Sequence, residues 1–428
     1  MMPSPHDQAA PPTVIRVLRS PLMAGVAMLL LGNGLIGTLL GVRAGIEGFP
    51  TVAVGVIMSA YYLGYIAGSR LGPAFIHRVG HIRTFAARAA IAATMAALHA
   101  MFVHPAPWAG FRLITGLCFA GLYVVMESWI NGRSSNATRG LLLSVYMFVS
   151  LGALALGQQL LNLYRPAGFE LFILSSALIA LSLVPFALTT SVAPEVPATA
   201  SLDVRRLYQI SPLGIVGCFA AGVTNCAFWG LGPLFAQGIG LPVAGISIFM
   251  SAVIFGGMAL QLPLGRLSDR FDRRRLIVAA CLSNTLLGVA ILAWGDRSEL
   301  LLFALAFAFG GFALTLYSLC VAHTNDFMKE ADLVEASGAL LLAFGLGALL
   351  GPVVASLFMA AIGPQGLFLH IAIASAALTV FAVHRTRRRA PVPMEEQEKF
   401  VAVPETTSVV HQLDPRVPKD EEAKPEAA

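Results

Sequence analysis

Pro263 to Arg274 reads PLGRLSDRFDRR, with Arg275 directly after it, and joins an apolar run to a dense cluster of Arg and Asp. A degraded copy lies 192 positions earlier as Leu71 to Ile82, LGPAFIHRVGHI, followed by Arg83. Two copies at that separation predict a duplicated chain.

Around these copies the chain is strongly apolar. Of its 428 residues, 57% are hydrophobic and only 12% are charged, and 41 are Gly. A soluble domain carries about 25% charged residues, and membrane helices tolerate Gly better than soluble ones do. The composition therefore reads as an all-α polytopic membrane protein. The first apolar run, Pro21 to Leu40, is long enough to span a bilayer and is followed by further spans, so no removable signal peptide is expected. Cys118, Cys218, Cys226, Cys281 and Cys320 all lie inside apolar runs without a CxxC pair and read as small buried hydrophobes. The net charge of +5 sits at the ends of apolar segments, which fits membrane orientation and argues against a nucleic-acid partner.

Runs of roughly 20 apolar residues place spans near 21–41, 51–70, 84–103, 108–130, 140–163 and 169–190, then near 211–236, 244–264, 276–295, 300–322, 336–361 and 365–384. The expected organisation is a flexible N-terminal tail (1–20), a six-helix bundle (21–190), a polar linker (191–208), a second six-helix bundle (209–389) and a disordered tail (390–428). With both termini cytoplasmic, nineteen Lys and Arg fall in or beside the inner loops, against Arg43, Arg165 and Arg297 outside. The Asn136-Ala137-Thr138 sequon then lies inside, where it has no glycosylation role.

The duplication is visible residue by residue. A shift of 192 superposes Asn33 on Asn225, Pro50 on Pro242, Met58-Ser59-Ala60 on Met250-Ser251-Ala252, Gly64 on Gly256 and Arg78 on Arg270. A shift of 194 superposes Gly116 on Gly310, Leu122-Tyr123 on Leu316-Tyr317 and Asn131 on Asn325. Parallel repeats of this kind point to a transporter whose site lies between the halves near the bilayer midplane.

With twelve spans, a central linker and the loop pattern Gly-x-Leu-Ala-Asp-Arg-x-Gly-Arg-Arg after the second span of each half, the chain resembles the major facilitator superfamily. In the second half Gly265, Leu267, Asp269, Arg270, Arg273 and Arg274 fit the pattern, with Ser268 and Asp272 as departures. In the first half Arg78 and Gly80 fit, while Pro73 and His77 replace the first Gly and the acid. Glu127-Ser128-Trp129-Ile130-Asn131 and Ala322-His323-Thr324-Asn325-Asp326 resemble the YcaD-like bacterial subgroup. The Gly-Pro pattern of many drug/proton antiporters is missing from the fifth span, where Gly157 precedes Gln158, although Gly351-Pro352 occurs in the eleventh. That departure weakens a drug-efflux reading.

The resemblance implies a fold of two six-helix bundles and alternating access, with Asp269 and Arg270 tying the second half together in one state. Arg112, followed by Gly116 in the fourth span, matches the superfamily's Arg-x-x-x-Gly motif and is assigned to proton coupling; the alternative is that it snorkels outward beside Trp108. Glu127 is the second coupling candidate, and its alternative is a latch to Arg133 or Arg139. Asp326 and His323 end the tenth span and read as solvated or paired groups, with a substrate or proton role as the alternative. His99 and His370 read as structural, and Arg88 as snorkelling to the inner surface. Asn33 and Asn225 coincide under the repeat and are assigned to the substrate cavity, with interhelical hydrogen bonding as the alternative; Tyr61, Tyr62, Gln158, Trp229, Gln261 and Tyr317 are further lining candidates whose alternative is to face a neighbouring helix. The many Gly read as close helix packing.

The expectation is a monomeric secondary transporter of the bacterial inner membrane that moves a small organic solute, coupled to protons, without metal or cofactor. The only lysines, Lys329, Lys399, Lys419 and Lys424, do not follow Gly, which argues against a P-loop pump. No nucleophile and base pair for an enzyme is found. A non-transporting sensor built on a transporter fold is the alternative from another class. Substrate and direction are not written in the sequence.

Overall fold

The structure is a computed structural model and describes residues 14–18, 20–132, 134–135, 138–188, 203–329, 332–388 and 392–413. Among these are twelve helices long and apolar enough to cross a membrane. They are α1 (Pro21–Ile46), α2 (Thr51–Val79), α3 (His81–Met101), α4 (Pro105–Gly132), α5 (Arg139–Asn162), α6 (Glu170–Ala187), α7 (Pro212–Gly238), α8 (Val243–Ser268), α9 (Arg273–Trp294), α10 (Glu299–Asn325), α11 (Leu333–Ile362) and α12 (Gly366–Arg388). Each coincides with an expected span.

Local chemistry sets several of the ends. Ser20 caps α1 by accepting the Met23 amide, and Pro21 occupies the first turn, where its missing N–H costs nothing. The α1–α2 and α7–α8 turns each pass through a glycine in the left-handed region, Gly48 at φ 66° and Gly240 at φ 89°. These two glycines are 192 positions apart, so the repeat extends to turn geometry.

The same holds for packing. A Cβ on Gly64 would strike the Leu113 carbonyl of α4, and one on Gly116 would strike the Tyr61 carbonyl of α2. In the second half Gly256 and Gly310 stand in the same relation to the Phe307 and Val253 carbonyls, joining α8 to α10. Small residues at such crossings let helix backbones touch, which replaces the hydrophobic driving force that lipid does not provide.

The two bundles meet along α1–α7, α2–α11 and α5–α8. One apolar core runs through the first bundle and into the far end of the second, through residues such as Phe228, Phe249, Phe309 and Phe368. A separate core fills the end of the second bundle near the Arg-rich loop, hereafter the basic end. The halves are thus fused at the far end and parted at the basic end. Leu71, Phe148, Leu286, Leu300 and Val380 stay exposed on the outside of the helices, the surface expected of a protein solvated by hydrocarbon.

Three regions expected to lack structure have some. Val14–Leu18 is a short helix, and within the expected linker Val204–Ile210 is another, capped by the Asp203 carboxylate on the Arg206 amide at 2.9 Å. Residues 189–202, Arg19, Arg133, Asn136 and Ala137 lie outside the described residues. The largest correction concerns the C-terminal tail. Residues 392–413 do not stand clear of the bundle as their Glu and Pro content suggests; Val403, Val409, Val410 and Leu413 are buried among the helices.

Candidate functional site

A cavity of about 370 Å³ lies between the halves, within the range of sites for small molecules. Its wall takes Asn33 from α1, Tyr61 and Tyr62 from α2, Arg112 from α4, Gln158 from α5, Trp229 from α7 and Gln261 from α8. Asn33 lies twelve residues into α1, about 18 Å from the basic end at 1.5 Å per residue, which is midplane depth. Asn225 sits at the matching depth in α7, but it is buried just behind the wall. It donates to the Ala313 carbonyl at 3.3 Å and to the Glu405 carboxylate at 3.5 Å. Tyr317 is also buried, edge-on to Phe344, and does not reach the wall.

The two residues assigned to proton coupling, Arg112 and Glu127, are both buried. Arg112 is 7% exposed, with its guanidinium 4.2 Å from the centre of the Tyr61 ring. That stacking offsets part of the cost of a cation in the membrane interior, and it replaces the outward snorkelling that proximity to Trp108 allowed. Glu127 is fully buried near the basic end of α4. Its carboxylate accepts the Tyr146 hydroxyl at 3.1 Å and the hydroxyls of Thr406 and Thr407 from the tail. Arg133, one latch partner considered for it, lies outside the described residues.

Beyond the cavity, the far end is closed by side chains. Gln159 of α5 donates to Ser251 Oγ at 2.7 Å and to the Ser247 carbonyl at 3.1 Å, while Asn162 donates to Ser247 Oγ at 2.9 Å. Ser251 in turn donates to the Ala155 carbonyl at 3.1 Å. Toward the basic end the wall continues to Ser69, Arg70 and Pro73 of α2 and to the tail.

A family profile described as Major Facilitator Superfamily matches residues 213–416. The MFS-type transporter YcaD of Salmonella typhimurium is 28% identical over 358 residues, covering 83% of this chain and 92% of that protein. YcaD of Escherichia fergusonii is 26% identical over 356 residues with the same coverage. Among solved structures, the nucleoside transporter NupG superposes with a TM-score of 0.74 at 16% identity, covering 85% of this chain and 98% of that one. A D-xylose-proton symporter superposes at 0.65 and 14%, covering 86% of this chain and 97% of that one. The chain has the fold of these transporters and resembles the YcaD-type members of the major facilitator superfamily.

In this chain the loop motif splits into a buried part and an exposed part. Arg273, 1% exposed, donates to Asp326 Oδ1 at 2.5 Å, to the Ala322 carbonyl at 3.1 Å and to Asp269 Oδ1 at 3.4 Å. It thereby ties the start of α9 to the ends of α8 and α10. Arg274 folds back onto the Asp272 carboxylate through Nε at 3.0 Å and Nη2 at 2.7 Å, and Asp272 caps α9. Arg270, expected to share the tie with Asp269, is exposed and has no ion pair among the described residues; the charge partner of Asp269 is Arg273. Asp326 is therefore part of the tie, and its reading as a substrate group gives way to pairing.

The first-half copy makes no such tie among the described residues. His77 and Arg78 are exposed, and Gly80 supplies a left-handed turn at φ 86° into α3. Arg88, read as snorkelling to the surface, is 6% exposed instead. It crosses to α4, donates to the Leu117 carbonyl at 2.6 Å and lies where Gly121 has no side chain. His99 is a packing residue, with Nδ1 2.6 Å from the Met95 carbonyl and its ring among Trp108, Phe111 and Phe172.

Sequence reasoning missed Tyr65, Ser318 and the tail residues Glu405, Thr406 and Thr407. One signal was present: Phe400 to Val410, FVAVPETTSVV, is an apolar and hydroxyl-rich island in an otherwise charged tail.

Proposed function

We propose that this chain is a secondary carrier in the bacterial cytoplasmic membrane, with both termini inside, acting as a monomer. It moves a small organic solute by alternating access and is coupled to protons. The observation that carries this reading is a midplane cavity shared by two repeated halves, sealed at the far end by Gln159 and Asn162 on Ser247 and Ser251, with Arg112 on its wall and Glu127 bonded to the lining residues Thr406 and Thr407. Rocking the halves about their α1–α7 and α2–α11 contacts would break those far-end bonds and close the basic end. The basic end, with its excess of Lys and Arg, is then the cytoplasmic one.

In this scheme Asn33, Tyr61, Gln158, Trp229 and Gln261 contact solute, and Glu127 takes and releases the proton. Arg112 provides a fixed positive charge that favours an anionic neighbour as the halves move. Purified protein in proteoliposomes, screened for proton flux against candidate solutes, tests the reading. Glu127→Gln is expected to abolish proton-driven accumulation while sparing counterflow exchange. Loss of both, or of neither, removes the coupling role, and a protein that binds solute without moving it removes the carrier reading.

A further inference from the structure

The tail returns to the basic end and enters the cavity from the second half. At the mouth, the Phe400 ring lies against Gly265, where any side chain would collide with it. The Phe400 amide donates to Asp269 Oδ1 at 2.7 Å, and the Glu398 carbonyl accepts from Arg273 Nη2 at 2.7 Å. Deeper in, Ser318 donates to the Val403 carbonyl at 2.9 Å and accepts the Val403 amide at 3.3 Å. Gln261 supports that serine at 3.5 Å. The chain then crosses to the first half, where Tyr65 donates to the Thr406 carbonyl at 3.0 Å and Glu127 takes both threonine hydroxyls. Ser408–Leu413 turns as a short helix against α4, α5 and α11.

These contacts go largely to main-chain groups. An extended segment has no internal hydrogen bonds, so burying it requires partners for its amides and carbonyls from elsewhere. Here Arg273, Asp269, Ser318 and Tyr65 supply them from α9, the α8–α9 loop, α10 and α2. Recognition of that kind suits peptides rather than a single compact solute. The two threonines add side-chain register, since each hydroxyl can donate to a carboxylate that only accepts.

We propose that the cavity is a binding site for an extended peptide segment, and that the chain's own residues 398–413 are its resident ligand, a tethered plug that excludes other ligands until it withdraws. The proposal rests on the reading of this cavity as the carrier's solute site. Tethering makes the plug effective even when its intrinsic affinity is modest, because a short linker holds a ligand at an effective concentration on the order of millimolar. The plug also bridges the halves, so it opposes rocking as well as filling the site. Glu127 serves both roles, and its carboxylate is free to exchange protons with an incoming solute only once the threonines have left.

The test uses full-length protein and a fluorescein-labelled synthetic peptide of residues 398–413, followed by anisotropy. Thr406→Val combined with Thr407→Val keeps side-chain volume and removes both donors. This variant is expected to bind the labelled peptide at least tenfold more tightly than the wild type, whose site is occupied by its own tail. A thiol reporter, Ser150→Cys on the cavity wall, is expected to react with maleimide faster in the double-valine variant and to be protected again by added peptide. As a check independent of tail release, Ser318→Cys with Val403→Cys, whose short side chain and backbone already touch, should form a disulfide on oxidation that protects the Ser150→Cys reporter until reduced. Equal peptide binding by wild type and variant, or reporter rates unaffected by valines, peptide and disulfide alike, overturns the plug. None of these measurements requires solute movement, so the plug can fail while the flux assays uphold the carrier, and the reverse.

Discussion

The two copies of the loop motif, Leu71 to Ile82 and Pro263 to Arg274, share a position in the repeat and differ in what they hold. In the second half Gly265, Asp269 and Arg273 act together: two of them clasp the tail backbone, Gly265 makes room for Phe400, and Arg273 ties three helices through Asp326. At the same three places the first half has Pro73, His77 and His81. His81 is buried like Arg273 but has one ring and no fork of donors, so it cannot bridge an acid, a helix end and a tail at once. By contrast, the crossings of α2 with α4 and of α8 with α10 remain equivalent down to the colliding carbonyls. Duplication has kept the close helix crossings within each half and let the loops diverge into one clasp and one plain turn.

The sharpest way to break this contrast is Arg273→Ala against His81→Ala. Removing Arg273 leaves Asp326 buried without its cation, a loss of about 3–5 kcal/mol for a buried pair. Its melting temperature in detergent should fall well below that of His81→Ala; equal shifts would mean that Arg273 is not the central tie. Next in size is a pair expected to match. Gly64→Ala and Gly256→Ala each drive a methyl into a carbonyl of the neighbouring helix, and overpacking of this kind costs about 1–3 kcal/mol. Similar destabilisation in both supports the retained symmetry, and a large difference would break it.

Asp269→Asn against His77→Asn bears on function. The first weakens the charge on Arg273 and the acceptor for Phe400, and should lower flux about tenfold, equivalent to ~1.4 kcal/mol; the second should leave flux within twofold. Equal effects would show that the asymmetry carries no functional weight.

The smallest expected effect is a pH dependence of the plug. Enclosure pushes the Glu405 carboxyl up to about 7 from its ordinary 4.5, with Asn225, Tyr123, Cys226 and Tyr317 as its neighbours and Glu127 in the same seat. A carboxyl raised on seating favours the seated state when protonated, so seating weakens as pH rises from about 4.5 to about 7 and changes little on either side. Binding of the labelled peptide to the double-valine variant should weaken a few-fold between pH 5 and pH 7.5, the effect being moderated because Glu405 is partly open to the cavity. A peptide carrying Glu405→Gln should bind without that slope, and an unchanged slope would move the titration to another group.

Much of this protein is fixed by local and periodic signals. Span number and limits follow from runs of apolar residues, because a bilayer sets their length. The repeat follows from identities at shifts of 192 and 194. Other features required the tertiary structure. Arg88 and Arg112 could each have reached a membrane surface along its own helix, and only the neighbours decided otherwise: the vacant face at Gly121 and the ring of Tyr61. Asp326 pairs with Arg273 across 53 residues, a partner no spacing rule selects. The tail is the clearest case. Its Glu and Pro content describes a chain that cannot bury itself, and that is correct for the segment alone; its burial depends on amide and carbonyl partners that four separate parts of the fold bring to one mouth.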